Sequence, residues 1–110
     1  METTEQNRKS TKRHYYANKS YYLEKNRKAR ERKAEYLRSL RRVPCCDCGV
    51  EYPHYVMEFD HVRGEKLYNI ANMLTQSWKR IHAEVEKCEV VCANCHCSRT
   101  HARLVEWQTR

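Results

Sequence analysis

The chain has 110 residues, a formal net charge of +8 and seven cysteines. That length suits one domain with an appendage, and it leaves room for only a modest apolar core. No run of about 18 apolar residues occurs, so no membrane-spanning helix is expected. The charge is uneven. Residues 1–42 carry 14 Lys and Arg against 5 Asp and Glu, a net of +9, whereas residues 43–110 carry 8 against 9, a net of −1. This distribution predicts a basic arm on a near-neutral globular part, and a phosphate backbone is the natural partner of such an arm. The cysteine count is odd, four of the seven form two Cys-x-x-Cys pairs, and the opening METTEQNRKS holds no apolar signal segment. Metal ligation in a reducing cytoplasm is therefore expected rather than disulfides.

Residues 1–11 are polar and aperiodic and are expected to form a flexible tail. Residues 12–43 contain neither Gly nor Pro and are rich in helix formers, until Pro44 stops the helix. Tyr15, Tyr22, Ala29, Tyr36 and Val43 recur every seven residues, and Leu37 and Leu40 thicken the stripe near its end. One apolar position per heptad is too thin for a coiled coil. The pattern predicts a basic helical arm that docks by its last two turns and leaves Arg27, Lys28, Arg30, Arg32 and Lys33 to meet phosphates.

Residues 44–110 are expected to form the compact domain. Pro44-Cys45-Cys46-Asp47-Cys48-Gly49 reads as a metal knuckle with Gly49 reversing the chain. Tyr55–His61 reads as a strand, and Ile70, Met73 and Leu74 as a short amphipathic helix. Ser77 is a suitable N-cap for a second helix, on which Trp78, Ile81, His82 and Val85 share a face. Glu89-Val90-Val91 reads as a second strand running into Cys92. From His96 onward the pattern is a final helix that turns Leu104 and Trp107 inward.

Cys45 and Cys48 are separated by two residues, as are Cys92 and Cys95, with 43 residues between the pairs. Two such hooks place four thiolates around one tetrahedral zinc ion. Cys46, Cys88 and Cys97 lie outside this set. Asp60 and His61 end the first strand, and His96 directly follows the last thiolate, so closure of the knuckles gathers all three. Asp60 suits magnesium as an oxygen ligand, His96 as a nitrogen ligand better suits manganese or zinc, and His61 is left to take a proton from water. Such a set can act on a phosphodiester.

Phe59-Asp60-His61 followed by Cys92-Ala93-Asn94-Cys95-His96-Cys97-Ser98-Arg99-Thr100 resembles the zinc-bearing branch of the HNH endonucleases, many of them encoded by phages. The resemblance covers about residues 43–104, and the basic leader is similar to that of short phage members. It implies an α+β fold with a small ββα-metal, treble-clef-like core held by four-cysteine zinc. It also implies a magnesium or manganese ion on Asp60 and His96, and His61 as the general base. The family's central Asn has no counterpart in Lys87-Cys88-Glu89-Val90-Val91. Asn94, and after it Asn69, are the candidates to steady His61. The expected function is a metal-dependent DNA endonuclease in the cytoplasm, or the host cytoplasm if phage-encoded, with a monomer and a homodimer both open. The alternatives are a non-catalytic zinc-stabilised nucleic-acid-binding module and an interaction protein with an acidic partner.

Overall fold

A computed structural model describes residues 4–108. Among these residues the fold is α+β, with four α-helices and one two-stranded antiparallel sheet. The order is α1 (Thr4–Ala17), α2 (Lys19–Leu40), β1 (Met57–His61), α3 (Trp78–Val85), β2 (Cys88–Cys92) and α4 (Ala93–Gln108). Short 3₁₀ turns at His54–Val56 and Ile70–Asn72 lie before and after β1. The chain divides into two compact units, residues 1–32 and 33–110. None of the helices is long and apolar enough to cross a membrane.

In the first unit, α1 begins at Thr4, so residues 4–11, expected as a frayed tail, are helical. Helix formers without a core-facing stripe produce that outcome, and α1 buries no side chain. The expected single helix is interrupted at Asn18. The Asn18 N–H reaches the carbonyls of both His14 and Tyr15, at 3.1 Å each, and its side-chain amide donates to the His14 carbonyl at 2.9 Å. An Asn side chain competing for a backbone carbonyl is a common source of such a break. Tyr15 and Tyr22 stack with ring centroids 5.8 Å apart across it.

The second unit holds two small cores. Leu37, Ile70, Met73 and Ile81 form one, with Tyr36, Leu40, Phe59 and Val85 packed around it. The docking of the last turns of α2 by Leu37 matches the stripe read from the sequence. The other core is rich in sulfur and consists of Cys45, Met57, Val91 and Cys92, flanked by Tyr52, Val56, Val90 and Cys95. In place of the expected helix carrying Ile70, Met73 and Leu74 there is a 3₁₀ turn at Ile70–Asn72 only. Ser77 caps α3, its hydroxyl accepting from the Arg80 N–H at 3.3 Å. Helix α4 starts three residues earlier than expected and buries no residue: Leu104 is 55% exposed and Trp107 73%. Trp78 is also exposed, and stacks on His82 at 5.8 Å.

Strands β1 and β2 pair from Met57↔Cys92 to His61↔Cys88. Met57 and Asp60 are the buried residues of β1, and Val91 and Cys92 those of β2. The register sets Cys92 at the end of the sheet opposite the Asp60–His61 pair.

Candidate metal centre and active site

The first knuckle forms because Gly49 adopts φ +72°, where a Cβ is disfavoured, and its N–H donates to the Cys45 carbonyl at 2.9 Å. The Cys45 N–H donates to the Val50 carbonyl at 3.0 Å, and the Cys46 N–H ties the knuckle to β2 through the Val90 carbonyl at 3.0 Å. The second knuckle is the junction of β2 with α4. Here the Cys95 N–H donates to Cys92 Sγ at 3.4 Å, and the Cys92 N–H to Cys45 Sγ at 3.3 Å. The four Sγ atoms of Cys45, Cys48, Cys92 and Cys95 lie within 4.8 Å of one another. A tetrahedral ion with metal–sulfur bonds of about 2.3 Å separates its sulfurs by about 3.8 Å, so the cluster fits a metal ion such as zinc.

The sulfurs differ in acidity. Burial pushes the Cys45 thiol up, but N–H donors from Cys48, Cys92 and Asp47 outweigh it and bring the group down to about 6. Cys95 is pushed up to about 12 by the neighbouring Cys92 sulfur, then by desolvation. Thiolates this close repel one another, and a divalent cation held among them would offset that repulsion. Cys46 lies outside the cluster, with its thiol donating to Glu89 Oε2 at 3.0 Å. Cys97 is exposed, and Cys88 packs on the first core with its thiol raised to about 11 by burial.

Beyond the sulfurs, β1 and α4 bring together Asp60, His96, Arg99 and Arg103. Asp60 is 2% exposed. Arg103 grips it with two bonds, Nη1 to Oδ1 at 2.9 Å and Nη2 to Oδ2 at 2.7 Å, while Arg99 Nη1 reaches Oδ2 at 2.8 Å. Arg99 also forks onto Asp47 of the first knuckle, at 2.6 and 2.5 Å, and touches Glu89 at 3.1 Å. His96 stands between two carboxylates. Its Nδ1 bonds Glu58 Oε2, and its Nε2 lies 3.5 Å from Asp60 Oδ1. Two ligand atoms at about 2.1 Å from one octahedral cation lie about 3.0 Å apart, so this pair needs only a small closing movement to share an ion. Among the described residues, the four-cysteine set is the one group of three or more ligands clustered closely enough to surround an ion alone. A cation on Asp60 and His96 would need its remaining ligands from outside the protein.

The Arg103 fork, ahead of the contribution from Arg99, holds the Asp60 carboxyl down to about 2, from an ordinary 3.8. Because the folded value lies below the unfolded one, this stabilisation is fully present above about pH 4. It is lost as pH falls through about 2, and it amounts to about 2 kcal/mol. Asp60→Asn is expected to lower the melting temperature by a constant amount from pH 8 to pH 5, with the gap narrowing only below pH 4. A gap that already closes between pH 7 and pH 5 would contradict the arginine clamp.

His61 sits on the other side of β1. Its Nε2 lies 2.8 Å from Glu84 Oε2, on α3. Glu84 is 1% exposed and also takes Lys87 Nζ at 2.9 Å and the Leu67 N–H at 3.2 Å. Desolvation pushes its carboxyl up, but the bonds from Lys87, His61 and the Leu67 and Tyr68 N–H groups together outweigh that and leave it lowered. The partner of His61 is thus Glu84, whereas Asn94 is exposed on the first turn of α4 and Asn69 is exposed near the Ile70 turn. A cleft of about 630 Å³ is lined by His61, His96, Glu58, Asn69, Lys66 and Arg41, among others.

Of the expected phosphate-contacting residues, Lys28, Arg30 and Arg32 are exposed on α2. Arg27 is paired with Glu24 at 2.6 Å on its own helix, and Lys33 donates to the Gln76 carbonyl at 2.6 Å within the second unit. Four site residues were missed in the sequence: Glu58, Glu84, Arg99 and Arg103. Glu58 was readable from strand alternation, two positions before Asp60. Arg99 and Arg103 were readable as the i+3 and i+7 neighbours of His96 on one helix face. Glu84 had no local signal. The chain matches no family model, no curated protein and no solved structure with which it was compared.

Proposed function

We propose that this chain is a metal-dependent DNA endonuclease of the zinc-bearing HNH kind, with β1, β2 and α4 as its ββα-metal core. The observation that supports it most is the convergence of Asp60 Oδ1 and His96 Nε2, 3.5 Å apart, beside a cleft that His61 and His96 both line. Zinc on Cys45, Cys48, Cys92 and Cys95 holds the scaffold. A magnesium or manganese ion, when bound by Asp60 and His96, supplies charge neutralisation at the scissile phosphodiester. The protein's own part is positional. Asp60 and His96 are held at the junction of β1 with α4, Glu58 orients the His96 ring, and His61 accepts a proton from the attacking water. Exposed Lys28, Arg30 and Arg32 add affinity that is independent of sequence.

A second reading has its own support. Both Asp60 oxygens take arginine hydrogen bonds, which suits a purely structural carboxylate in a zinc-stabilised nucleic-acid-binding module. A plasmid-nicking assay separates the two. With zinc-loaded protein and supercoiled DNA, nicking is expected with magnesium or manganese and none with calcium or without a divalent cation. DNA binding without nicking under every cation would leave only the binding module.

A further inference from the structure

Glu84 is an acid sealed inside the protein, 23 residues from the histidine it touches, and the residues that flank it fix which way its hydrogen bonds run. Lys87 Nζ and the Leu67 N–H can only donate. Each carboxylate oxygen is thereby an acceptor. Desolvation pushes the Glu84 carboxyl up, but the bonds from Lys87, His61 and the backbone N–H groups outweigh it and hold the group below its ordinary range, so it stays ionised and unable to donate. The hydrogen between His61 Nε2 and Glu84 Oε2 therefore belongs to the ring. A neutral imidazole with its hydrogen on Nε2 has its lone pair on Nδ1.

We propose that Glu84 is the positioning residue of His61: it fixes the Nε2–H tautomer, leaving Nδ1 as the one acceptor on a ring that lines the cleft. This rests on the endonuclease reading above. In the step it serves, water gives its proton to His61 Nδ1 and its oxygen bonds to phosphorus while the P–O bond to the sugar breaks; the sugar oxygen leaves as an alkoxide and takes a proton from solvent. Glu84 stays ionised throughout and stabilises the imidazolium that results. Glu84 thus fills the orienting role for which Asn94 and Asn69 were the sequence candidates.

The test uses the full zinc-loaded chain. Glu84→Gln is nearly isosteric, and Lys87 dictates how its amide lies. Lys87 on Oε1 and the Leu67 N–H on Oε2 both need the amide oxygen, and the charged, shorter Lys87 bond outweighs the neutral one, so Lys87 retains the oxygen and the NH₂ turns toward His61. His61 Nε2 must then accept, and the ring switches to the Nδ1–H tautomer. Ring ¹⁵N shifts are expected to show Nε2–H in the wild type and Nδ1–H in Glu84→Gln, with the thermal melt still cooperative. In the nicking assay, turnover is expected to fall about 100-fold with KM unchanged. Adding Lys87→Met frees the amide to rotate and should restore part of both the wild-type ring signature and the turnover. Identical ring shifts in wild type and Glu84→Gln would overturn the proposal, as would a tautomer switch with undiminished turnover. Absence of hydrolysis by the wild type would overturn the endonuclease reading instead, and the ring shifts register independently of it.

Discussion

Chelation of the metal, or Cys92→Ser, is expected to unfold residues 33–108. The reason is that the sulfur cluster and the second core are largely the same atoms. Cys45 and Cys92 are buried at 3% and 1%, and only Met57 and Val91 complete that core. Structural zinc contributes about 10–16 kcal/mol near neutral pH, comparable with or larger than the whole stability of a small domain, about 5–15 kcal/mol. Circular dichroism should lose its cooperative melt on chelation and regain it when zinc is restored, with one zinc per chain by elemental analysis. Cys46→Ser is the control, since the Cys46 side chain is exposed, its thiol donates to Glu89, and its backbone bond to Val90 survives the change, so it should melt close to wild type. A cooperative melt of unchanged midpoint in Cys92→Ser would refute the structural role of the cluster.

His61→Ala is expected to reduce nicking by about 10²- to 10⁴-fold, the range set by loss of a general base. The fold should survive. The substitution removes one of the bonds to Glu84, while those from Lys87 and the Leu67 N–H remain, so the cost is about 1–3 kcal/mol. Zinc content should be unchanged, because His61 and Cys92 lie at opposite ends of the strand pair. The measurement is nicking rate against protein concentration, beside a melt and a zinc assay on the same preparations. Equal rates for the two proteins would exclude His61 as the base. His96→Ala should instead give a folded protein with weakened, cation-sensitive nicking.

What was legible in the sequence was what short-range chemistry writes down. The Cys-x-x-Cys hooks specify a turn and two sulfurs within four residues, and both knuckles follow from that. Ser77 announced α3 because a capping hydroxyl acts three residues away. Both strands were visible by composition, although β1 starts at Met57 rather than Tyr55. Long-range pairing was not legible. Glu84 sits on an amphipathic helix where a charged residue normally faces solvent, and only the packing of α3 against the end of β1 reveals its burial. Leu104 and Trp107 misled in the opposite direction, since apolar residues on α4 were read as core and the structure leaves them exposed. The Asp60 clamp needed residues 47, 89, 99 and 103 to be adjacent, which no window along the chain contains.

The pairing of Met57 with Cys92 has a consequence for how the protein reaches its native state. A slip of one residue between the strands would move Cys92 by about 3.4 Å and turn its side chain to the opposite face. The four sulfurs could then no longer surround one ion, and the misaligned strand pair would gain nothing from a metal. A metal held by the four sulfurs would therefore favour, over a slipped pairing, the one alignment that also sets Asp60 toward α4 and His61 toward α3.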